Sequence, residues 1–418
     1  MPLTKLRAGI HFASATLIKT VAGLIVIKLL AVQLGPDGFG QLSQLMTLVA
    51  ITSMFAGGGV ANGLTKALAK TPITTVEGAS WFATAFTIST IAALLVAIGL
   101  VVLSEFFLDR LMLGGFAAIF VFLAIGQVVV GYGNLAQSEA SSRGETGFYA
   151  KVNIVGTVIG VTVLYFAVTY FGFPGAAYSI AIMPSFLGVV ALALFFKRVD
   201  VFQYLKCSLE SYKVKWLLSF SVVTFVGALS IPLAQIIIRD VMAQQFGWSQ
   251  VGLWQGVVKL SDVYMQFVGV VLANYALPRC AAAKTDRESG KEVASIVFWL
   301  VIALMAGFFV LYFIKDIVIR LVFSGEFLGM SDYFIPQMAG DIFRTVAAGI
   351  SYALMARGII KISILFELLQ GLLLVVIFYC FIGQFAAMAP AYAHVATYGL
   401  LAVIMSVIFW FELRREAQ

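Results

Sequence analysis

The sequence is short of charge, cysteine and histidine. Charged residues make up only 11% of the 418 residues, whereas a soluble domain carries about a quarter. Cys207, Cys280 and Cys380 are far apart and in no disulfide or metal spacing, and the two histidines, His11 and His394, form no cluster. These shortages exclude a soluble globular domain, a disulfide scaffold and a histidine–cysteine metal site.

Motifs that carry catalysis are also missing. The chain has no HExxH, nucleophile elbow or Walker motif, and no paired carboxylates in an outer loop. Gly57-Gly58-Gly59 is not followed by the Gly-Lys-Ser/Thr of a phosphate-binding loop. We therefore expect neither an enzyme nor a resident metal or cofactor. Any uphill work would depend on a proton or sodium gradient, the membrane potential or a partner protein.

Long apolar runs dominate the chain, which is 61% hydrophobic. Each run has about the 20 residues that span a bilayer as a helix, and none alternates like a barrel strand. The sequence therefore predicts an all-α integral membrane protein with twelve transmembrane helices. The predicted spans are 8–34, 39–64, 80–103, 111–137, 148–170, 176–196, 216–238, 251–276, 293–314, 333–356, 362–382 and 388–413.

The loops between these spans differ in charge. One side receives nineteen lysines and arginines and the other receives four, Arg239 among them. Because basic loops stay inside, this places both termini in the cytoplasm of a multi-pass cytoplasmic-membrane protein. The net charge of +7 thus belongs to one face of a membrane protein, and we expect no nucleic acid partner.

The two halves of the chain resemble each other. Residues 29–48 and 241–260 align at a constant offset of 212, and each segment joins the first two helices of its half. An even number of helices per half gives both halves the same orientation, a parallel repeat about an axis along the membrane normal. We predict six-helix bundles at 1–205 and 206–418. The matched positions are Ala31 with Ala243, Gln33 with Gln245, Gly35 with Gly247, Gly40 with Gly252, and Leu48 with Leu260.

Seven charged side chains fall inside the predicted spans. A charge there costs at least ~2.5–3.5 kcal/mol on insertion scales, so it usually faces a polar interior and marks a transport path. Four of the seven are cations, which indicates an anionic substrate. The seven are Lys19, Lys28, Lys259, Asp262, Asp341, Arg344 and Glu367.

Four of these charges form two pairs, each spaced about one helical turn apart. Lys259 and Asp262 are three residues apart on one helix, as are Asp341 and Arg344. Such pairs either neutralise each other and hold helices together, or line a hydrated cavity in which the cation exchanges its partner for a substrate anion. Glu367 either snorkels to the interface or joins such a cavity.

The two first-helix lysines point in different directions. Lys28 is nine residues beyond Lys19, about half a turn away around the helix. We expect Lys19 to line a cavity. Lys28 joins it only if Gly23 lets the helix bend, and otherwise snorkels toward the outer surface.

Three stretches resemble a known family. LIKTVAGLIVIKLLAVQLGPDGFG at 17–40, NGLTK at 62–66 and VGLWQGVVKLSDVYMQF at 251–267 are similar to the Wzx-type polysaccharide flippases of the multidrug/oligosaccharidyl-lipid/polysaccharide exporter superfamily. The resemblance implies two six-helix bundles in a V with a central cavity. It also implies alternating access that moves an undecaprenyl-pyrophosphate-linked oligosaccharide, an O-antigen or enterobacterial common antigen unit, from the cytoplasmic to the periplasmic leaflet.

The resemblance also implies roles for the intramembrane charges. The cations that match the pyrophosphate-binding role are Lys19, Lys28, Lys259 and Arg344, and the acids that match charge balance or ion coupling are Asp262, Asp341 and Glu367. The implied partners are the lipid-linked glycan, membrane lipids, and the polymerase and chain-length regulator of the same pathway.

Two other functions compete with this interpretation. A multidrug cation antiporter of the same superfamily would place carboxylates in the first-half spans, which instead carry lysines. A glycan polymerase or glycosyltransferase would need a sizeable outer loop or a nucleotide-sugar domain, and the sequence has neither. A non-transporting scaffold would not explain charges kept in the middle of the membrane.

Overall fold

The computed structural model describes residues 2–111, 117–198 and 209–415, and nearly all of these are helical. The described residues contain no β-strand, which confirms the all-α class. The helices are α1 (Pro2–Ala56), α2 (Ala61–Leu68), α3 (Val76–Val102), α4 (Ser104–Leu111), α5 (Ala118–Ser142), α6 (Thr146–Phe196), α7 (Ser211–Phe246), α8 (Trp248–Val271), α9 (Leu277–Ala282), α10 (Asp286–Val322), α11 (Phe334–Ala356), α12 (Ile360–Phe385) and α13 (Ala389–Arg415). Short π or 3-10 turns follow α8, α10 and α12.

Seven helical stretches of the described chain are long and apolar enough to cross a membrane. A helix suits this environment because it satisfies its backbone N–H and C=O groups within one segment. Three of the stretches have 51 or 52 residues, more than twice the length that one crossing needs: Leu17–Leu68, Thr146–Phe196 and Lys361–Glu412. The protein is therefore a multi-pass integral membrane protein.

Turns with positive φ break the long stretches, and they recur in the two halves of the chain. Three first-half residues with positive φ match second-half residues at the offset of 212 found in the sequence, or at 214; Gly58 and Gly59 have no such match among the described residues. A shared rare backbone conformation at matching positions supports the internal repeat. The pairs are Gly35 (φ 62°) with Gly247 (φ 84°), Gly144 (φ 71°) with Gly358 (φ 81°), and Gly172 (φ 57°) with Ala386 (φ 47°).

Ala386 is the one non-glycine residue in the described chain with positive φ. An L-residue with a Cβ pays about 1 kcal/mol or more in this conformation, and the matching position carries Gly172. We expect Ala386→Gly to stabilise the protein by about 1 kcal/mol, raising the melting temperature in detergent by roughly 2 °C. Ala387→Gly, one residue on at ordinary φ, should lower the melting temperature. A lower melting temperature for Ala386→Gly would show that the backbone at Ala386 is not strained.

The chain separates into two compact units. The first unit comprises Met1–Leu34 and Gln41–Phe225, and the second comprises Gly35–Gly40 and Val226–Gln418. The later division falls inside α7. The predicted boundary between residues 205 and 206 lies outside the described residues and stays a prediction. Cys207 and the side chain of His11 also lie outside the described part of the chain. Cys280 and Cys380 are free thiols.

Small residues let the helices of the first unit pack closely. A Cβ on Gly133 of α5 would lie 2.5 Å from the Cα of Gly188 on α6, so these backbones touch. Glycine at such crossings is typical of helix packing in lipid. Buried apolar side chains of α2, α3, α5, α6 and α7 fill the core beside this crossing: Val60, Leu64, Phe82, Leu135, Val152, Phe195 and Leu217.

A buried lysine joins α7 to α3 within the first unit. Lys213 is 1% exposed, and its Nζ lies 2.9 Å from Glu210 Oε2 and 3.4 Å from Glu77 Oε1. Burial opposes its charge, but the hydrogen bond to Glu210 and the charge of Glu77 raise the pKa of Lys213. The pKa of Glu210 is lowered, first by the hydroxyl of Ser80 and then by Lys213. The cluster holds the start of α7 against the start of α3.

In the second unit, the 35–40 segment packs against the start of α8. A Cβ on Gly252 would overlap the carbonyl oxygen of Pro36, and one on Gly40 would overlap that of Trp248. Pro36 and Trp248 are themselves 212 residues apart, so the contact is reciprocal between the repeated segments. Phe39 fixes the segment edge-on, with its ring centroid 5.6 Å from that of Phe327.

Candidate functional site

The candidate site lies in the second unit and centres on Asp341 of α11, which is 0% exposed. Its Oδ2 accepts hydrogen bonds from Ser261 Oγ and Tyr264 OH of α8, each at 2.6 Å. The Nε2 of Gln337 lies 3.4 Å from the same oxygen. On the other side, Oδ1 is 3.0 Å from His394 Nε2 on α13. Donors from three helices thus surround the buried carboxylate.

The local sequence of α11 builds this arrangement. Gln337, Asp341 and Arg344 follow the helical period, so they share one face. Gly340 lets α13 approach, because a Cβ at that position would overlap the imidazole of His394. The histidine therefore reaches Asp341 only where α11 lacks a side chain.

Arg344 lies one turn along α11 and connects to a second acid through an aromatic ring. Its guanidinium carbon is 5.6 Å from the ring centroid of Tyr398, a cation–π distance. The Tyr398 hydroxyl donates to Gln370 Oε1 at 3.0 Å, and Gln370 Nε2 donates to the carboxylate of Glu367. Arg344 and Glu367 therefore belong to one polar chain across α11, α13 and α12.

A small cavity of about 40 Å³ lies against this network. A water molecule needs about 10–15 Å³ measured this way, so the cavity suits a few waters and is too small for a diphosphate diester. It brings together polar side chains of four helices. The polar lining comes from Gln235, Ser261, Asp262, Gln337, Arg344, His394 and Tyr398.

Asp262 connects the cavity to a second cation and to the outside of the unit. Its side chain is 52% exposed, and its Oδ2 is 3.6 Å from Lys259 Nζ. The pair forms as its three-residue spacing predicts. Asp341 and Arg344 have the same spacing, but Asp341 takes His394 as its partner.

The position of Arg239 was predicted wrongly from the sequence. We counted it with the outer loops, because it follows the predicted span 216–238, but α7 continues to Phe246. The side chain is 0% exposed and donates to Gln235 Oε1 at 2.8 Å. It is therefore an interior cation of the second unit, beside the cavity that Gln235 lines.

The structure brings the second-half candidates together and leaves the other two in the first unit. Lys19 is exposed and Lys28 partly buried on α1. The five candidates that share the network or its cavity are Lys259, Asp262, Asp341, Arg344 and Glu367.

Sequence reasoning missed several members of the network. The sequence could have identified Gln337, because it is four residues before Asp341 and therefore on the same helix face. The sequence offers no such indication for Tyr264 or His394, since no local pattern pairs α8 or α13 with α11. Sequence analysis gave His394 no role, and only helix packing sets its ring against Asp341.

The class of fold follows from solved structures. The chain superposes on an inward-facing multidrug resistance MATE family transporter of the MOP superfamily with a TM-score of 0.79 at 13% identity, covering 96% of this chain and 95% of that one. It superposes on the lipid II flippase MurJ in an inward closed conformation with a TM-score of 0.74 at 12% identity, covering 97% and 87%. The protein is thus an all-α membrane protein with the fold of these transporters.

The family follows from sequence. Residues 6–284 match the polysaccharide biosynthesis protein family. The chain is 30% identical over 415 residues to the lipid III flippase of Escherichia coli (strain K12), covering 98% of this chain and 99% of that one, and equally to that of Shigella flexneri. It belongs to the polysaccharide biosynthesis protein family, which confirms the resemblance seen in the sequence.

Proposed function

We propose that this protein is a flippase for an undecaprenyl-pyrophosphate-linked oligosaccharide. It moves an O-antigen or enterobacterial common antigen unit from the cytoplasmic to the periplasmic leaflet of the bacterial inner membrane by alternating access. The observation that carries the proposal is the identity with proteins named lipid III flippase over almost the whole of both chains. The buried polar network adds a physical basis for handling a charged headgroup inside the membrane.

The proposed topology has twelve spans, six in each half of the chain, with both termini in the cytoplasm. Three of the seven apolar stretches are long enough for two crossings each, and positive-φ residues interrupt all three. They and the four single stretches supply ten spans, and α7 and α11 supply two more. The excess of basic residues in the inner loops supports the orientation.

The proposed headgroup chemistry begins with Arg344. A diphosphate diester carries about two negative charges, and a guanidinium can donate two parallel hydrogen bonds to its oxygens. Lys259, Lys19 and Lys28 are the further proposed cations. Asp262, Asp341 and Glu367 balance these charges and keep the attraction reversible.

The membrane potential would assist transport of the anion. Moving net charge across the membrane is worth ~2.3 kcal/mol per charge per 100 mV. A negative cytoplasm therefore favours outward movement of a lipid anion.

The polymerase and chain-length regulator of the same pathway stay predicted partners of the protein.

The test uses a strain in which this chain is the sole flippase for its glycan. We expect Arg344→Ala and Lys19→Ala each to reduce surface glycan at least about tenfold, a change of roughly 1.4 kcal/mol, while the protein still inserts. Lipid-linked units should accumulate inside the cell. Lys284→Gln removes an exposed cation between α9 and α10 and is the matched control, with normal glycan expected. Normal glycan in the Arg344→Ala, Lys19→Ala double variant would contradict the electrostatic mechanism.

A multidrug cation antiporter is the second candidate, because the structural similarity to a multidrug resistance MATE family transporter is also high. At 13% identity that similarity concerns the fold alone. Overexpression separates the two functions: drug resistance with unchanged surface glycan would favour the antiporter.

A further inference from the structure

His394 presents one ring nitrogen to two different partners. The side chain lies between α13 and α11 and is 8% exposed. Its Nε2 is 3.0 Å from Asp341 Oδ1 and 3.2 Å from Gln337 Nε2. The contacts demand opposite roles, because Nε2 must carry a proton to donate to the carboxylate and must lack one to accept from the amide. Protonation of Nε2 therefore selects between two hydrogen-bond arrangements.

The surroundings of Asp341 suit a proton better than a metal ion. Its Oδ2 already accepts from Ser261 and Tyr264 at 2.6 Å each. A sodium or calcium ion needs several oxygen lone pairs directed at it, whereas these neighbours present hydrogens. Among the described residues, no group of three or more histidine, cysteine, aspartate or glutamate side chains could hold a metal ion.

His394 lies on the wall of a cavity that suits water. His394 lines the 40 Å³ cavity together with Asp262 and Arg344, and a space of this size with polar walls is suited to water. The indole N–H of Trp254, also on its wall, has no protein partner. Asp262, whose side chain is 52% exposed, joins the cavity to the outside of the second unit.

The charges of the polar network and cavity around His394 are balanced. They come from α11, α8, α12 and α7, with two tyrosines beside them. Three cations stand against three carboxylates, so one added proton makes the cluster net positive. The groups are Arg239 of α7, Lys259, Asp262 and Tyr264 of α8, Asp341 and Arg344 of α11, Glu367 of α12 and Tyr398 of α13.

We propose that His394 and Asp341 form a proton-binding site, and that a proton bound there strengthens diphosphate binding at Arg344. The neutral ring carries its one proton on Nδ1, and a proton from cavity water adds to Nε2; the resulting imidazolium donates its Nε2–H to Asp341 Oδ1. On release the proton returns to water, and Nε2 accepts from Gln337; no other bond changes. By linkage, proton and anion raise each other's affinity by the same factor. The inference rests on the proposed flippase function and names its coupling ion.

The test measures binding of an undecaprenyl-pyrophosphate-linked monosaccharide to the purified full-length protein in detergent. Its diphosphate diester does not titrate between about pH 5 and 8, so a pH response in this range comes from the protein. We expect wild-type affinity to rise about tenfold on acidification across this range. His394→Gln should abolish the rise, whereas His11→Gln, which removes the other histidine of the chain, should preserve it.

A second variant tests the neutral arrangement. Gln337→Met removes the amide that the unprotonated ring accepts from, so the unprotonated state is destabilised. The midpoint of the pH response should move upward, by about one pH unit or less. This variant keeps both His394 and Asp341, so it remains informative if His394→Gln does not fold.

Three outcomes would count against the proposal. The same pH response in wild type and His394→Gln, or an unmoved midpoint in Gln337→Met, would overturn the proton site. Wild-type affinity that changes with sodium and not with pH would overturn the choice of ion. Absence of lipid binding by the wild type at every pH would instead contradict the proposed function.

Discussion

Gly252→Ala is expected to destabilise the second unit by about 3 kcal/mol or more, at the upper end of overpacking effects. The added Cβ would overlap the backbone carbonyl of Pro36. A flexible side chain could rotate away from such a clash, but a carbonyl moves only with its backbone. That backbone is held nearby, because Gly40 packs against Trp248 and Phe39 against Phe327.

The measurement is the melting temperature of the purified protein in detergent, together with its yield in the membrane. Gly269→Ala is the matched control, since Gly269 lies on the same helix α8 and a Cβ there meets no atom within 4 Å. The control should be neutral or slightly stabilising, because alanine is the better helix former. Equal melting temperatures for both variants would refute the close approach at Gly252.

Asp341→Asn is expected to destabilise the second unit by about 1–3 kcal/mol, the usual cost of leaving a buried hydrogen-bond donor without its acceptor. The amide nitrogen of asparagine would replace one carboxylate oxygen and point N–H groups at existing donors. Ser261 and Tyr264 face Oδ2, and His394 faces Oδ1, so either the two hydroxyls meet an N–H group or His394 must give up the proton with which it donates. The amount of surface glycan should decrease together with the stability of the protein.

Asp262→Asn provides the comparison. Asp262 carries the same charge on the neighbouring helix, but it is 52% exposed and pairs with a partly exposed Lys259. Exposed pairs contribute at most about 1 kcal/mol, so the melting temperature should change little. If Asp341→Asn were as stable as Asp262→Asn, the buried network around Asp341 would not be a structural element of the unit.

Local spacing predicted part of the candidate site. The Lys259–Asp262 pair follows from a three-residue interval on one helix, and the structure contains it. The same rule applied to Asp341 and Arg344 identified two important residues but not their partners. The carboxylate contacts His394, which lies 53 residues further along the chain, because Gly340 allows α13 to come close.

Helix ends were the weaker part of the fold prediction. The run 216–238 predicted a span that stops before Arg239, since arginine is costly in lipid. In the structure α7 continues to Phe246, and Gln235 accepts a hydrogen bond from the buried guanidinium. Hydropathy assumes that each residue faces lipid or water, whereas Arg239 faces protein.

By itself the sequence determined the all-α membrane class, the matching segments that contain Gly35 and Gly247, and the charges that had to avoid lipid. These features follow from the backbone and from each side chain's own solvation, which are local properties. Tertiary structure alone decided which charges meet: it joined Asp341 to His394, set Arg344 over Tyr398 and buried Arg239 beside Gln235. Those contacts depend on how closely helices distant in the sequence approach one another, and no single helix encodes that distance.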